Sequence, residues 1–106
     1  MILSPQIVQE ITQLAEVKFP DSEIYVYGSQ ARGEAHQNSD WDLLILLEMP
    51  MISFQQETQL MDDFYELELQ TGEVFSPLIY SKSDWYQTYT ITPIFQNIQR
   101  EGIKIR

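Results

Sequence analysis

Residues 41–47, WDLLILL, are apolar at both parities once Asp42 is passed. Successive side chains of a strand point to opposite faces, so this segment needs cover on both sides. It reads as a middle strand of a sheet sandwiched between helices. The rest of the chain supplies the cover. Ser4-Pro5 is a helix start, the hydroxyl capping free N–H groups and the proline taking the first helical position. Ile7, Val8, Ile11, Leu14 and Ala15 follow at helical spacing until Phe19-Pro20-Asp21 breaks the helix near Lys18. Glu23 to Tyr27 (EIYVY) is β-branched and aromatic and stops at Gly28, as a first strand does. Ser53 with Gln56 makes a capping box. It opens a second long helix whose buried stripe is expected at Leu60, Met61, Phe64 and Leu67, closed by Gly72. A third strand runs from Val74 to Tyr80, and Pro77, which cannot donate to a ladder, confines it to an edge or a bulge. Thr92-Pro93 opens a last helix with Phe95 and Ile98 inward and Gly102 at its end; the tail from Ile103 to Arg106 alternates, as a short strand or a frayed end would. Helices interleaved with strands define an α/β domain with a small sheet.

The 106 residues fit one domain, residues 1–106, with a core that needs no covalent staple. The absence of cysteine excludes disulfides and thiolate metal sites. Sixteen carboxylates against six Lys and Arg give a net charge of -10. Nucleic acid backbones and anionic membranes should repel such a chain, so direct nucleic acid binding is not expected. A phosphate ligand has to arrive with a cation or meet a local nest of donors. No apolar run approaches the roughly 18 residues that cross a bilayer, and the opening MILSPQIVQE lacks a basic leader; a cytoplasmic location is expected.

The chemistry concentrates between the first two strands, in YVYGSQARGEAHQNSDWDLLILLE, Tyr25 to Glu48. Gly28 and Ser29 follow a strand directly, and Gln30, Ala31 and Arg32 favour a helical turn that Gly33 ends. A strand running into such a turn presents backbone N–H groups and a hydroxyl to an anion. Taken alone, a Gly-Ser bend is more often only a bend. Asp40 and Asp42, at i and i+2 of a strand, point to the same face while Trp41 points to the other. At a separation of roughly 6 to 7 Å and an effective dielectric near 20, their repulsion is about 2 to 3 kcal/mol. A cation between them relieves it, and paired carboxylates suit Mg²⁺, which takes oxygen ligands and completes its shell with water and substrate phosphates. The alternative is an exposed, solvated pair. An antiparallel pairing of the two strands would bring the bend and the acids to one rim, whereas a βαβ crossover would separate them.

Gly28-Ser29, ten intervening residues, then Asp40-x-Asp42, with Ala31-Arg32-Gly33 and Ser39-Asp40 inside the span, resembles the signature of the minimal nucleotidyltransferases of the DNA polymerase β superfamily. The pattern GSxARGxxxxxSDxDL is met at every fixed position. The resemblance implies a polymerase-β-like nucleotidyltransferase fold: a small mixed sheet with an antiparallel first strand pair and flanking helices. It further implies Mg-dependent transfer of a nucleotidyl group, AMP in particular, from a nucleoside triphosphate such as ATP to a protein or other hydroxyl acceptor. Asp40 and Asp42 would be the catalytic metal ligands, Gly28 and Ser29 the phosphate cradle, and Arg32 a phosphate contact, or else a surface residue closing the turn. Small single-domain members resemble the nucleotidyltransferase half of toxin–antitoxin modules whose other half is a helical HEPN protein, so a HEPN-type partner is implied. A homo-oligomer is left open.

The chain departs from this family on the third strand. Active members carry a third carboxylate there, where GEVFSPLIY places Ser76, and the one acid nearby is Glu73. A serine hydroxyl is neither a strong ligand nor a base at neutral pH. The alternative is therefore a catalytically impaired nucleotide-binding or antitoxin module that neutralises its partner by binding, unless Glu73 or another chain supplies the acid. Other residues have simpler readings. His36 lies in a polar loop without a second His or Cys, so zinc is not expected. Arg100, Lys104 and Arg106 place cations near the end of the last helix, where its dipole favours them. Trp85, Tyr86 and Tyr89 precede that helix, placed to line a base or a partner groove, with ordinary packing as the default.

Overall fold

The computed structural model describes residues 3–36 and 39–106. Four strands form one sheet in the order β3-β2-β1-β4. β1 (Glu23–Tyr27) runs antiparallel to β2 (Trp41–Leu47), and β2 runs parallel to β3 (Phe75–Ser81). β4 (Ile103–Lys104) adds antiparallel to the outer side of β1, so the alternating tail is a strand. The sheet is therefore mixed, with the antiparallel first pair that the resemblance implied. β3 begins at Phe75 rather than Val74 and occupies an edge, where Pro77 forfeits only a ladder bond facing outward.

The doubly apolar reading of β2 explains how the layers assemble. Trp41, Leu43, Ile45 and Leu47 point to a core built by α1 (Pro5–Lys18) and α3 (Phe54–Thr71). Leu44 and Leu46 point to a second, smaller core on the opposite face, with Trp85, Phe95 and Ile98. Trp85 lies on α4 (Lys82–Gln87), a short helix not foreseen from the sequence, and Phe95 and Ile98 on α5 (Pro93–Glu101). Between them Tyr89–Ile91 makes one 3₁₀ turn. The helix starts are capped as their sequences require: Ser4 by its hydroxyl, Ser53 through a complete capping box with Gln56, and Thr92 ahead of Pro93.

One expectation is corrected. Met61 is not part of the buried stripe of α3; it is 44% exposed, while Leu60, Phe64 and Leu67 are buried. At 100° per residue those three fall within an arc of about 60°, and Met61 lies about 60° beyond its edge. For Trp85 the default of ordinary packing holds: it is 3% exposed and packs on Phe95 and Tyr80 at centroid distances of 5.1 and 5.5 Å. The aromatic cluster is the lid of the second core, because β2 presents Leu44 and Leu46 there and the short β4 and α5 cannot cover them alone.

Leu60→Ala should destabilise the protein by about 2–5 kcal/mol, whereas Met61→Ala should cost about 0.5 kcal/mol or less, since only the first removes buried methylenes. Urea unfolding of the two variants beside the parent checks the assignment.

Candidate functional site: the rim where β1 ends and β2 begins

Antiparallel pairing sets Tyr27 opposite Asp42, so the residues that follow β1 meet the residues that precede β2. Gly28 turns the chain with φ +74°, and residues Gly28–Arg32 form the single-turn helix α2, closed by Gly33 at φ +73°. Glycine is required at position 28 for two reasons. An L side chain is strained at that φ, and a Cβ there would overlap Asp42 Oδ2. The bend and the acid are thus in direct contact.

Asp42 lies on β2 at the parity of Leu44 and Leu46, on the α4/α5 side of the sheet; Asp40 precedes it by two residues. The parallel register of β2 and β3 sets Ser76 opposite Asp42, as the sequence reading placed it. Ser76 Oγ donates to Asp40 Oδ2 at 3.1 Å. The link back to the acids is held locally: Gln30 Nε2 donates to the Ser39 carbonyl at 3.4 Å, and Ser39 Oγ accepts from the His36 N–H at 2.9 Å. His36 thereby acts through its backbone in shaping the approach to Asp40.

Burial, followed by the like charge of Asp40, holds the Asp42 carboxyl above its ordinary 3.8, and Glu101 adds to the rise against a lowering by Arg32. Tyr27, half-buried beside Asp42, has its phenol pushed up to about 12, by burial first and then by Asp42 and Tyr80. Ionised carboxylates at this rim are therefore short of positive charge. Among the described residues the cation that acts on Asp42 is Arg32, and its hydrogen bonds go elsewhere. Its Nε donates to Glu34 Oε1 at 2.6 Å and its Nη1 to Glu101 Oε2 at 3.1 Å.

Glu101 is the residue that sequence reasoning missed. It is the last residue of α5, and its Oε1 accepts from the Gly28 N–H at 3.2 Å, across 73 positions of chain. One signal was available: a carboxylate at a helix C-terminus opposes the helix dipole and needs a compensating partner. Among the described residues no three metal-capable side chains gather at one point, so Glu73 does not join the acidic pair. The side chains of the C-terminal cations are bonded to other partners, although Arg100 also acts on Glu101 through its charge. Arg106 reaches Glu16 and the Pro20 carbonyl, Lys104 approaches Glu23, and Arg100 bonds Asn97. A cleft of about 350 Å³ lined by Phe19, Leu47, Gln56 and Leu60 lies at the far end of β2 from the acids.

Such a rim, with a glycine-serine bend pressed on a strand that starts Asp-x-Asp in a mixed sheet, defines a nucleotidyltransferase fold. The family described as Polymerase beta, Nucleotidyltransferase matches residues 9–105, and the chain belongs to it. Solved structures agree on the fold. A toxin–antitoxin crystal structure with AMP-PNP superimposes with TM-score 0.68 at 19% identity, covering 93% of this chain and 72% of that one. A mutant of the toxin–antitoxin MntA-HpeT gives 0.67 at 17% identity over 93% and 72% of the two chains. A second MntA-HpeT mutant gives 0.63 at 18%, over 91% and 68%. A comparison with curated protein sequences gave no match. No described helix is long and apolar enough to cross a membrane.

Because the native Asp42 holds its proton more tightly than the unfolded chain does, ionising it costs stability as pH rises through its raised pKa. Asp42→Asn should therefore raise the melting temperature at pH 7 in metal-free buffer. The gain should vanish on acidification, once the parent's carboxyl is protonated too. Thermal melts of both proteins across pH 3 to 8, about the ordinary carboxylate range, read this directly.

Proposed function

We propose that this domain binds Mg-ATP at the rim and transfers AMP to a hydroxyl of a partner protein, slowly for want of a third carboxylate. The observation that carries the reading is the contact of Gly28 with Asp42, which joins a phosphate-sized bend to a carboxylate pair. The donor set fits the metal: Asp40 and Asp42 offer only oxygen, and the raised Asp42 carboxyl marks a site short of positive charge. Mg²⁺ held by Asp40 and Asp42 would neutralise triphosphate charge at the point where the phosphoryl bond breaks. Ser29 offers the phosphates a hydroxyl and a backbone N–H, and Gly28 keeps that bend close to the acids by having no Cβ. Arg32 contributes its guanidinium once it leaves the carboxylates that hold it.

Ser76 orients Asp40 through its hydroxyl and cannot take a proton from an acceptor. Loss of a positioned base costs about 10²- to 10⁴-fold in rate while leaving nucleotide binding in place. That same observation favours a second reading, in which the domain binds Mg-ATP and acts on its partner by covering it. A partner is supported by the surface of α3. Phe54, Met61, Tyr65 and Leu69 lie along one side of that helix at 87, 44, 60 and 66% exposure. The helix carries five acids and no Lys or Arg. The toxin–antitoxin character of the structural neighbours points the same way, and a HEPN-type helical protein is the partner we propose.

Calorimetric titration of Mg-ATP should give saturable binding to the parent and at least a tenfold loss in Asp40→Asn, on the order of one lost charge-assisted contact. With labelled ATP and a candidate partner, Ser76→Asp should raise label transfer by about 10²-fold, the lower end for a restored base. Equal binding by the parent and Asp40→Asn would overturn the metal-site reading; no transfer by the parent or Ser76→Asp, with binding intact, would leave the covering role.

A further inference from the structure

The Glu101 carboxylate takes up two of the groups that the proposed phosphate site depends on. Its Oε1 accepts from the Gly28 N–H at 3.2 Å and from Arg32 Nη1 at 3.3 Å, and its Oε2 accepts from the same Nη1 at 3.1 Å. The Glu101 side chain is 18% exposed and its partner Arg32 45%, so the carboxylate is the more firmly seated of the two. Its acidity agrees: burial alone would raise it, yet the bonds from Arg32 and Gly28 outweigh burial and hold it below its ordinary 4.5. A backbone N–H and a guanidinium are what a phosphate oxygen would use; the Gly28 N–H is a single donor and cannot serve both anions, and the Nη1 that Arg32 turns to the rim is taken by Glu101.

We propose that Glu101 is an intramolecular latch that holds the bend and Arg32 in the nucleotide-free protein, and that triphosphate binding exchanges it for phosphate oxygen. The inference rests on the nucleotide-binding reading above and adds a mechanism of control to it. The reach of the latch follows from where Glu101 stands. It is the last residue of α5, and Gly102 leads directly into β4, which pairs with β1 through Tyr25 and Val26. Releasing the carboxylate frees the end of α5 from the rim, so occupancy of the cradle is transmitted to the β4 edge of the sheet. The charges around Glu101 set what the exchange has to offset. Asp42 and Glu34 act on the same guanidinium and Arg100 acts on Glu101 itself, so the triphosphate takes the place of the carboxylate only with Mg²⁺ neutralising part of its charge.

A latch that keeps the competent state a minority lowers apparent affinity by the fraction open. Calorimetry of Mg-ATP and of Mg-tripolyphosphate with Glu101→Gln, which keeps the shape and loses the charge, should show binding about tenfold tighter than the parent's if about one molecule in ten is open. Glu101→Ala should shift in the same direction, and Arg32→Ala added to Glu101→Gln should erase the gain. In the parent, amide NMR signals of Gly28, Gly102 and Lys104 should move together on adding Mg-tripolyphosphate. Unchanged or weaker binding by Glu101→Gln, with the parent binding normally, would overturn the latch alone. No binding by the parent or any variant would overturn the nucleotide reading and the latch with it.

Discussion

The pairing of Tyr27 with Asp42 is the contact on which the rest of the rim depends. It fixes the end of β1 against the start of β2, and the missing Cβ of Gly28 lets the chain turn directly over a carboxylate. An antiparallel register leaves little freedom. A slip of one residue would carry Asp42 to the face of Trp41 and bury it under α1 and α3. The apolar alternation of β2 therefore guards the position of the acids: Leu43 and Ile45 on one side, Leu44 and Leu46 on the other, all fully buried.

Electrostatics then give the rim its character. Asp40 and Asp42 repel each other, Asp42 is half-buried, and the nearest guanidinium is shared between Glu34 and Glu101. A fold whose purpose was only stability would pair Arg32 with Asp42. Here the cation is diverted, and the acidic pair keeps only the hydroxyl of Ser76 as a partner among the described residues. That arrangement costs stability, and perturbed carboxylates of this kind cluster at functional sites.

The two faces of the sheet have different standing. The α1/α3 face is the larger core and holds β2 rigidly from behind. The α4/α5 face is smaller and aromatic, with Trp85 between Tyr80 and Phe95, and it carries the acids at its rim. Placing the site on the lighter face leaves the end of α5 close enough to touch Gly28.

Much of this was written locally and was legible as such. The caps at Ser4, Ser53 and Thr92, the both-sided hydrophobicity of β2, the Gly-Ser bend and the Asp-x-Asp pair depend on neighbours within a few residues, so the sequence by itself determined them, together with the absence of an acid at position 76. The helix α4 went unread because it is only six residues long and mixes Lys, Ser and Asp with aromatics; Ser81 capping the Asp84 N–H was its one local signal, and Trp85 packs with Leu44 and Leu46 in the second core. The exposure of Met61 depended on how far α3 is rolled against the sheet, which periodicity leaves free by a residue's turn. Glu101 was decided by tertiary structure alone. A hydrogen bond between positions 73 residues apart exists only after β4 has added to β1 and drawn the end of α5 to the rim, and no local pattern encodes a contact that long-range strand pairing creates.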